Sequence, residues 1–250
     1  AFSSSFMVAG GVAPALVVAT VNLAKIGSCF FSGLAHWRFG NVRWKWVRPL
    51  ALSGIAGGVL GGSLLVYLPQ GLTRFWLPAL LLVMGLLLLR RFLFEAMAVP
   101  QVAGASSEWN PPARAGLWQK VAHRWKAAST GFQLAVIGLF GGVFNGVSGA
   151  YGPFTTTSVL LTKGGHPRYS VGSVNLAEFF AAGAVTITIL SQINWDEFQW
   201  QLPVGLIVGS ILTAPLGAYL SRHLPIRIIG VLMGLAMVGL NVFSLLRSLL

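Results

Sequence analysis

Seven stretches of this 250-residue chain (1–24, 49–73, 75–89, 127–162, 179–195, 198–221 and 228–246) contain no Lys, Arg, Asp or Glu. A spanning helix needs about 20 mostly apolar residues. A buried core helix in a water-soluble protein explains any one such run, but not seven together. Soluble domains carry about 25% charged residues, whereas this chain carries 9% and is 55% hydrophobic. Strands of a membrane barrel would appear as short alternating segments, and these runs are continuous. The chain therefore reads as an all-α polytopic membrane protein.

The charges it does carry lie between the runs. Net charge is +12, a balance that in another setting would suggest nucleic acid. Here the basic residues group into loops. Segment 36–48, HWRFGNVRWKWVR, holds Arg38, Arg43, Lys45 and Arg48, and segment 90–126 holds Arg90, Arg91, Arg114, Lys120, Arg124 and Lys126. Cytoplasmic loops collect Lys and Arg, so both are assigned to the cytoplasm. Loop 192–199, QINWDEFQ, has two acids and no Lys or Arg, and is assigned to the periplasmic or extracellular side. Segment 95–126, with Pro111 and Pro112, reads as a cytoplasmic linker between a first transmembrane unit, 1–94, and a second, 127–250. A single cysteine, Cys29, excludes an intrachain disulfide and, on count alone, argues against a cysteine metal site within one chain. His123, His166 and His223 show no metal-ligand spacing. No metal and no cofactor are expected.

The two units read as copies. At an offset of 153, Thr20-Val21-Asn22-Leu23-Ala24 matches Ser173-Val174-Asn175-Leu176-Ala177, Gly11 and Pro14 match Gly164 and Pro167, Ser3-Ser4-Ser5 matches Thr156-Thr157-Ser158, and Asn41 matches Asn194. With small gaps, Tyr67-Leu68 matches Tyr219-Leu220 and Met84-Gly85 matches Met233-Gly234. Basic loop 36–48 and acidic loop 192–199 are partners in this alignment, and their charges assign them to opposite faces. The expectation is two inverted-topology repeats, as in secondary transporters that bind substrate near the midplane. The second copy opens at about residue 130 with TGFQLAVIGLFGGVFNGVSGAYGP. No counterpart precedes residue 1 of the first copy, so the first repeat is expected to lack its opening helix in this chain.

Two kinds of stretch carry chemistry. Residues 141–158, GGVFNGVSGAYGPFTTTS, pack Gly141, Gly142, Gly146, Gly149 and Gly152 ahead of Pro153. That density is expected to break the helix, with Pro153 at the first position of the next one. Irregular backbone at membrane depth persists where it is buried or lines a wet cavity. A helix N-terminus there offers free N–H groups and a partial positive charge to an anion, and Thr155, Thr156, Thr157 and Ser158 add hydroxyls, as Ser3, Ser4 and Ser5 do in the first copy. Close helix packing through small residues is the competing use of the glycines. The second stretch is the repeated phrase itself, which carries Lys25 in the first copy and Glu178 in the second. A charge inside a spanning helix costs at least ~2.5–3.5 kcal/mol, and equivalent positions near the axis would bring the two together. A structural ion pair, a proton-coupling role for Glu178 and an anion-binding role for Lys25 all fit. Asn22 and Asn175, three residues earlier on the same helical face, join the candidate substrate site, with Asn145, Ser148, Tyr151 and Ser173.

The repeat, the glycine-rich break followed by proline, the phrase GSVNLAEFF and the segment LAHWRFGNVRW together resemble the TauE/SafE family of sulfite exporters and organosulfur permeases, over nearly the whole chain. The resemblance implies a secondary transporter, not an enzyme, that moves a small sulfur-containing anion such as sulfite or an organosulfonate across a bacterial inner membrane by alternating access. Family members tend to carry a run of glycines at the first break, where this chain has Gly149-Ala150-Tyr151-Gly152. The expected partners are the small anionic substrate, the lipid bilayer and, as an option, a second copy in a homodimer; nucleic acid is not among them. A passive anion channel of the same fold is the alternative. A rhomboid-like intramembrane serine protease is a remoter one, suggested by Gly146-Val147-Ser148-Gly149 and His36. It is disfavoured because His36 precedes the serine and borders the basic loop, while a nucleophile needs its base within hydrogen-bond reach.

Overall fold

The computed structural model describes residues 2–94, 128–163, 167–193, 198, 200–209 and 226–249. The linker 95–126 and most of loop 192–199 lie outside the described residues. Every regular element among the described residues is a helix: α1 (Phe2–Ala9), α2 (Pro14–Arg38), α3 (Trp44–Tyr67), α4 (Gln70–Phe94), α5 (Thr130–Ser148), α6 (Tyr151–Lys163), α7 (Pro167–Leu190) and α8 (Ile226–Leu249), with a further helical stretch at 201–209. Four spans, Pro14–Arg38, Trp44–Tyr67, Thr130–Ser148 and Tyr169–Leu190, are long and apolar enough to cross a membrane.

Side-chain placement is inverted relative to a water-soluble protein. Large apolar residues point outward: Leu52, Leu60 and Leu64 on α3, Val83 and Leu87 on α4, Ile187 on α7, Leu232 and Phe243 on α8. Polar residues point inward: Ser4, Ser5, Asn22, Asn145, Ser148, Thr155, Ser170, Ser173 and Asn241 are all fully buried. Hydrocarbon around the molecule makes outward Leu and Phe favourable and forces polar groups to find partners inside. Length, apolarity and this polarity pattern agree on a polytopic helical membrane protein.

Local sequence explains the helix ends. Pro14 opens α2 after an extended Ala13, where its missing N–H costs nothing. Ser129 caps α5 by accepting the Phe132 N–H at 3.3 Å. Short α1 is closed from α8, where Arg247 Nη1 donates to Ala9 O at 3.3 Å. The order short helix then long helices recurs: α1 and α6 precede α2 and α7, and these last two begin on prolines 153 positions apart.

The packing is organised around α3, α2 and α7. Helix α3 lies against α5 and α7, α2 crosses α7, and α4 pairs with α8. The α3–α5 contact is a glycine seam. A Cβ at Gly57 would strike Leu139 O, one at Gly142 would strike Gly54 O, and one at Gly146 would strike the Gly62 N–H. Backbones approach this closely only without side chains, the arrangement that drives helix association in lipid.

The glycine-rich stretch breaks the helix as expected, but Pro153 is not at the first position of the next one. Gly141, Gly142 and Gly146 stay helical inside α5, since their role is to admit α3 and Thr155. Only residues 149 and 150 separate α5 from α6, and α6 starts at Tyr151, two residues ahead of Pro153. Pro153 tolerates the third position because the first-turn N–H groups have no helical partner anyway.

Candidate functional site

Lys25 on α2 and Glu178 on α7 meet where these helices cross, with Nζ 2.7 Å from Oε1. Glu178 is 6% exposed, and it is the one charged residue among the buried side chains described. Lys25 is part-buried, and its ammonium has two further acceptors: Gly149 O at 2.6 Å and Asn145 Oδ1 at 3.3 Å. Both come from the C-terminal end of α5. The chain therefore ties three helices to one ammonium.

The turn between α5 and α6 makes this possible. Gly149 caps α5 in the left-handed region at φ 71° and returns its N–H to Asn145 O. The same turn directs the Gly149 carbonyl to Lys25. A Cβ there would also come 3.2 Å from Ser4 Oγ and 3.4 Å from Val21. Gly149→Ala is thus expected to lose about 1–2 kcal/mol from backbone handedness alone, and to weaken the Lys25 contact with it. A lowered unfolding temperature in detergent checks this, and a melt equal to wild type would refute it. Three residues on, Gly152 in the first turn of α6 leaves room for Glu178: a Cβ there would lie 3.2 Å from Oε2. The carboxylate thus rests against the N-terminal turn of α6, where negative charge is favoured.

A polar chain extends from the pair. Asn145 Nδ2 donates to Asn22 Oδ1 at 2.7 Å, and Asn22 Nδ2 donates to Val18 O at 2.9 Å. Ser4 Oγ donates to Ser148 O at 3.1 Å, closing α1 onto the end of α5. Tyr151 is fully buried and points at α3, donating to Leu50 O at 3.3 Å. Thr155 is fully buried one turn later, with its hydroxyl against Gly141.

Of the residues expected at the substrate site, Asn22, Lys25, Asn145 and Glu178 form one network, and Ser4 and Ser148 flank it. Others are engaged elsewhere. Ser5 Oγ accepts from Asn241 Nδ2 at 2.8 Å, joining α1 to α8. Ser173 Oγ accepts the Arg43 N–H at 3.0 Å, fastening the basic loop to α7, while the Arg43 guanidinium stacks over Trp46 and Tyr169. Asn175 donates to Ser32 at 2.9 Å. Ser3, Thr156, Thr157 and Ser158 are half-buried along α1 and α6. The sequence reading missed Gly149 O and Asn241. The latter was visible as a lone amide in the charge-free run 228–246.

Ser148 is not placed as a nucleophile. Its Oγ donates back to Phe144 O at 2.8 Å, whereas His36 lies beside Asn41 at 3.5 Å and against Gly172.

Comparison with known proteins identifies the family. The family model described as sulfite exporter TauE/SafE matches residues 1–243. The chain is 31% identical over 246 residues to the probable membrane transporter protein YtnM of Bacillus subtilis (strain 168), an alignment covering 98% of this chain and 75% of that protein. No solved structure matches the chain. Matched in this way over nearly its whole length, the chain is a membrane transporter rather than an enzyme, and it belongs to the TauE/SafE family.

Proposed function

We propose that this chain is a secondary transporter that carries a small sulfur oxyanion, sulfite or an organosulfonate, across the bacterial inner membrane by alternating access. The supporting observation is the Lys25–Glu178 pair, at the α2–α7 crossing and beside the α5–α6 break. Ionisable groups inside membrane helices are costly and mark substrate or ion routes. An ammonium beside Asn145, which is itself bonded to Asn22, suits an oxyanion. The sulfur class comes from the family description.

In this reading the halves are inverted repeats. Residues 153 positions apart in the two copied phrases contact each other, as residues near a two-fold axis do. Loops 36–48 and 90–126 then face the cytoplasm and loop 192–199 the opposite side. One repeat rocks against the other around the pair. Asn22, Lys25, Asn145, Ser4 and Ser148 line the substrate position, while Ser173 and Asn175 hold the scaffold.

Counterflow tests the reading. Proteoliposomes loaded with unlabelled sulfite and diluted into radiolabelled sulfite should show a transient overshoot of internal label above its equilibrium level. Such an overshoot requires a binding site that alternates between faces. Smooth equilibration without overshoot would identify a passive channel instead.

A further inference from the structure

Lys25 has no donor to spare in this arrangement. An ammonium has three N–H groups, and Glu178 Oε1, Gly149 O and Asn145 Oδ1 take all three. Glu178 in turn places Oε2 against Gly152 in the first turn of α6. The protein's own carboxylate therefore fills the position from which an external anion would meet both the ammonium and that turn.

Resting on the transporter reading above, we propose that the substrate is a monoanion that replaces the Glu178 carboxylate on Lys25, and that each exchange requires one proton on Glu178, making transport an electroneutral symport of one proton with one anion. The reason is charge balance. Ammonium with carboxylate is neutral in sum. Ammonium with a monoanion is neutral as well, provided Glu178 is a neutral carboxyl. An anion arriving while Glu178 is ionised leaves one negative charge in excess, and a protonated Glu178 without an anion leaves one positive charge in excess. Uncompensated charge in a buried site is strongly penalised, so proton and anion enter and leave together. A dianion would leave the site negative even with Glu178 protonated. Hydrogensulfite or a monosulfonate is accordingly selected over sulfate.

Among the described residues, nothing else near Glu178 can supply the missing charge. From α2 it faces Lys25 and Cys29, and from α6 it faces Tyr151. Helix α5 contains no titratable residue, and Lys45 and Arg48 of α3 are exposed at its beginning. A thiol and a phenol cannot provide a positive charge.

In the exchange, a proton from water on the open side bonds to Glu178 Oε1, which leaves Lys25 Nζ. An oxygen of the anion then accepts from Nζ. On the other side the anion departs, Glu178 returns its proton to water, and the carboxylate re-forms the ion pair.

The test uses the intact chain in proteoliposomes with radiolabelled methanesulfonate, a permanent monoanion, and radiolabelled sulfite, with pH gradient and membrane potential set independently by buffers and by potassium with valinomycin. An acidic exterior, one pH unit below the lumen, should drive roughly tenfold accumulation, the gradient's free energy being that of a tenfold concentration ratio. A potential alone should drive none. Glu178→Gln preserves an acceptor for Lys25 and should fold, as a thermal melt will show. It should lose accumulation driven by the pH gradient, and any remaining flux should follow the potential. Wild-type accumulation driven by potential, or undiminished accumulation driven by pH in Glu178→Gln, would overturn the coupling and leave the transporter standing. The wild-type result decides the matter by itself if the variant does not fold. No wild-type flux of either anion would overturn the transporter reading and the coupling with it.

Discussion

Lys25→Met should destabilise the folded protein by about 3–5 kcal/mol, the cost of removing one member of a buried ion pair. The loss exceeds that of one contact because the ammonium serves three acceptors. Glu178, Gly149 O and Asn145 Oδ1 all lose their donor, and the orphaned carboxylate stays buried. Lys25→Met/Glu178→Leu removes that charge as well. Replacing both ions with apolar groups is often close to neutral, so the double variant should regain most of the loss, less what the two remaining acceptors cost. Unfolding followed by tryptophan fluorescence in detergent should rank wild type above the double variant and the double variant above Lys25→Met. Equal melts for Lys25→Met and the double variant would show that the stranded carboxylate is not the source of the loss.

That pair is also where the sequence was most informative. Lys25 and Glu178 occupy the same place in two similar phrases 153 residues apart, and the structure brings them into contact. The helical membrane class was equally legible, because seven charge-free runs admit little else. Hydrogen-bond partners were less legible. Asn22 and Asn175 look equivalent, yet Asn175 donates to Ser32 while Asn22 accepts from Asn145. The position equivalent to Ser32 is Val185, so Asn22 finds no hydroxyl there and turns to α5. Helix α5 lies outside the matched phrases, so they could not announce Asn145 or the Gly149 carbonyl. Ser173, a candidate substrate residue, also has a partner that the sequence did not reveal. It holds the Arg43 N–H, a contact between segments 130 residues apart that no local pattern encodes. The glycines of 141–152 showed small-residue density but not its division. Three admit neighbouring helices, Gly149 makes the turn, and Gly152 gives space to a carboxylate.

The division among the glycines leads to the second large effect. Gly142→Ala should cost about 3 kcal/mol, the upper end of the range for overpacking a core. Its Cβ would collide with Gly54 O and the Gly58 N–H, and the opposing Gly57 already faces Leu139 O and the Val143 N–H. Each obstacle is backbone, so no rotamer change makes room and α3 and α5 must separate. Separation moves the end of α5, which delivers Asn145 and Gly149 O to Lys25. It also moves Gly54 away from the Tyr151 hydroxyl, 3.0 Å from where a Cβ on Gly54 would lie. Counterflow should therefore fall along with stability, although Gly142 touches none of the polar network. Gly183→Ala is the matched control: it lies within α7, nothing stands within 4 Å of its Cβ position, and alanine is the better helix former by about 0.8–1.0 kcal/mol. The control should melt at or above wild type. Equal melts for the two alanine variants would mean that α3 and α5 are not held by backbone contact, and that the Lys25 network does not depend on their spacing.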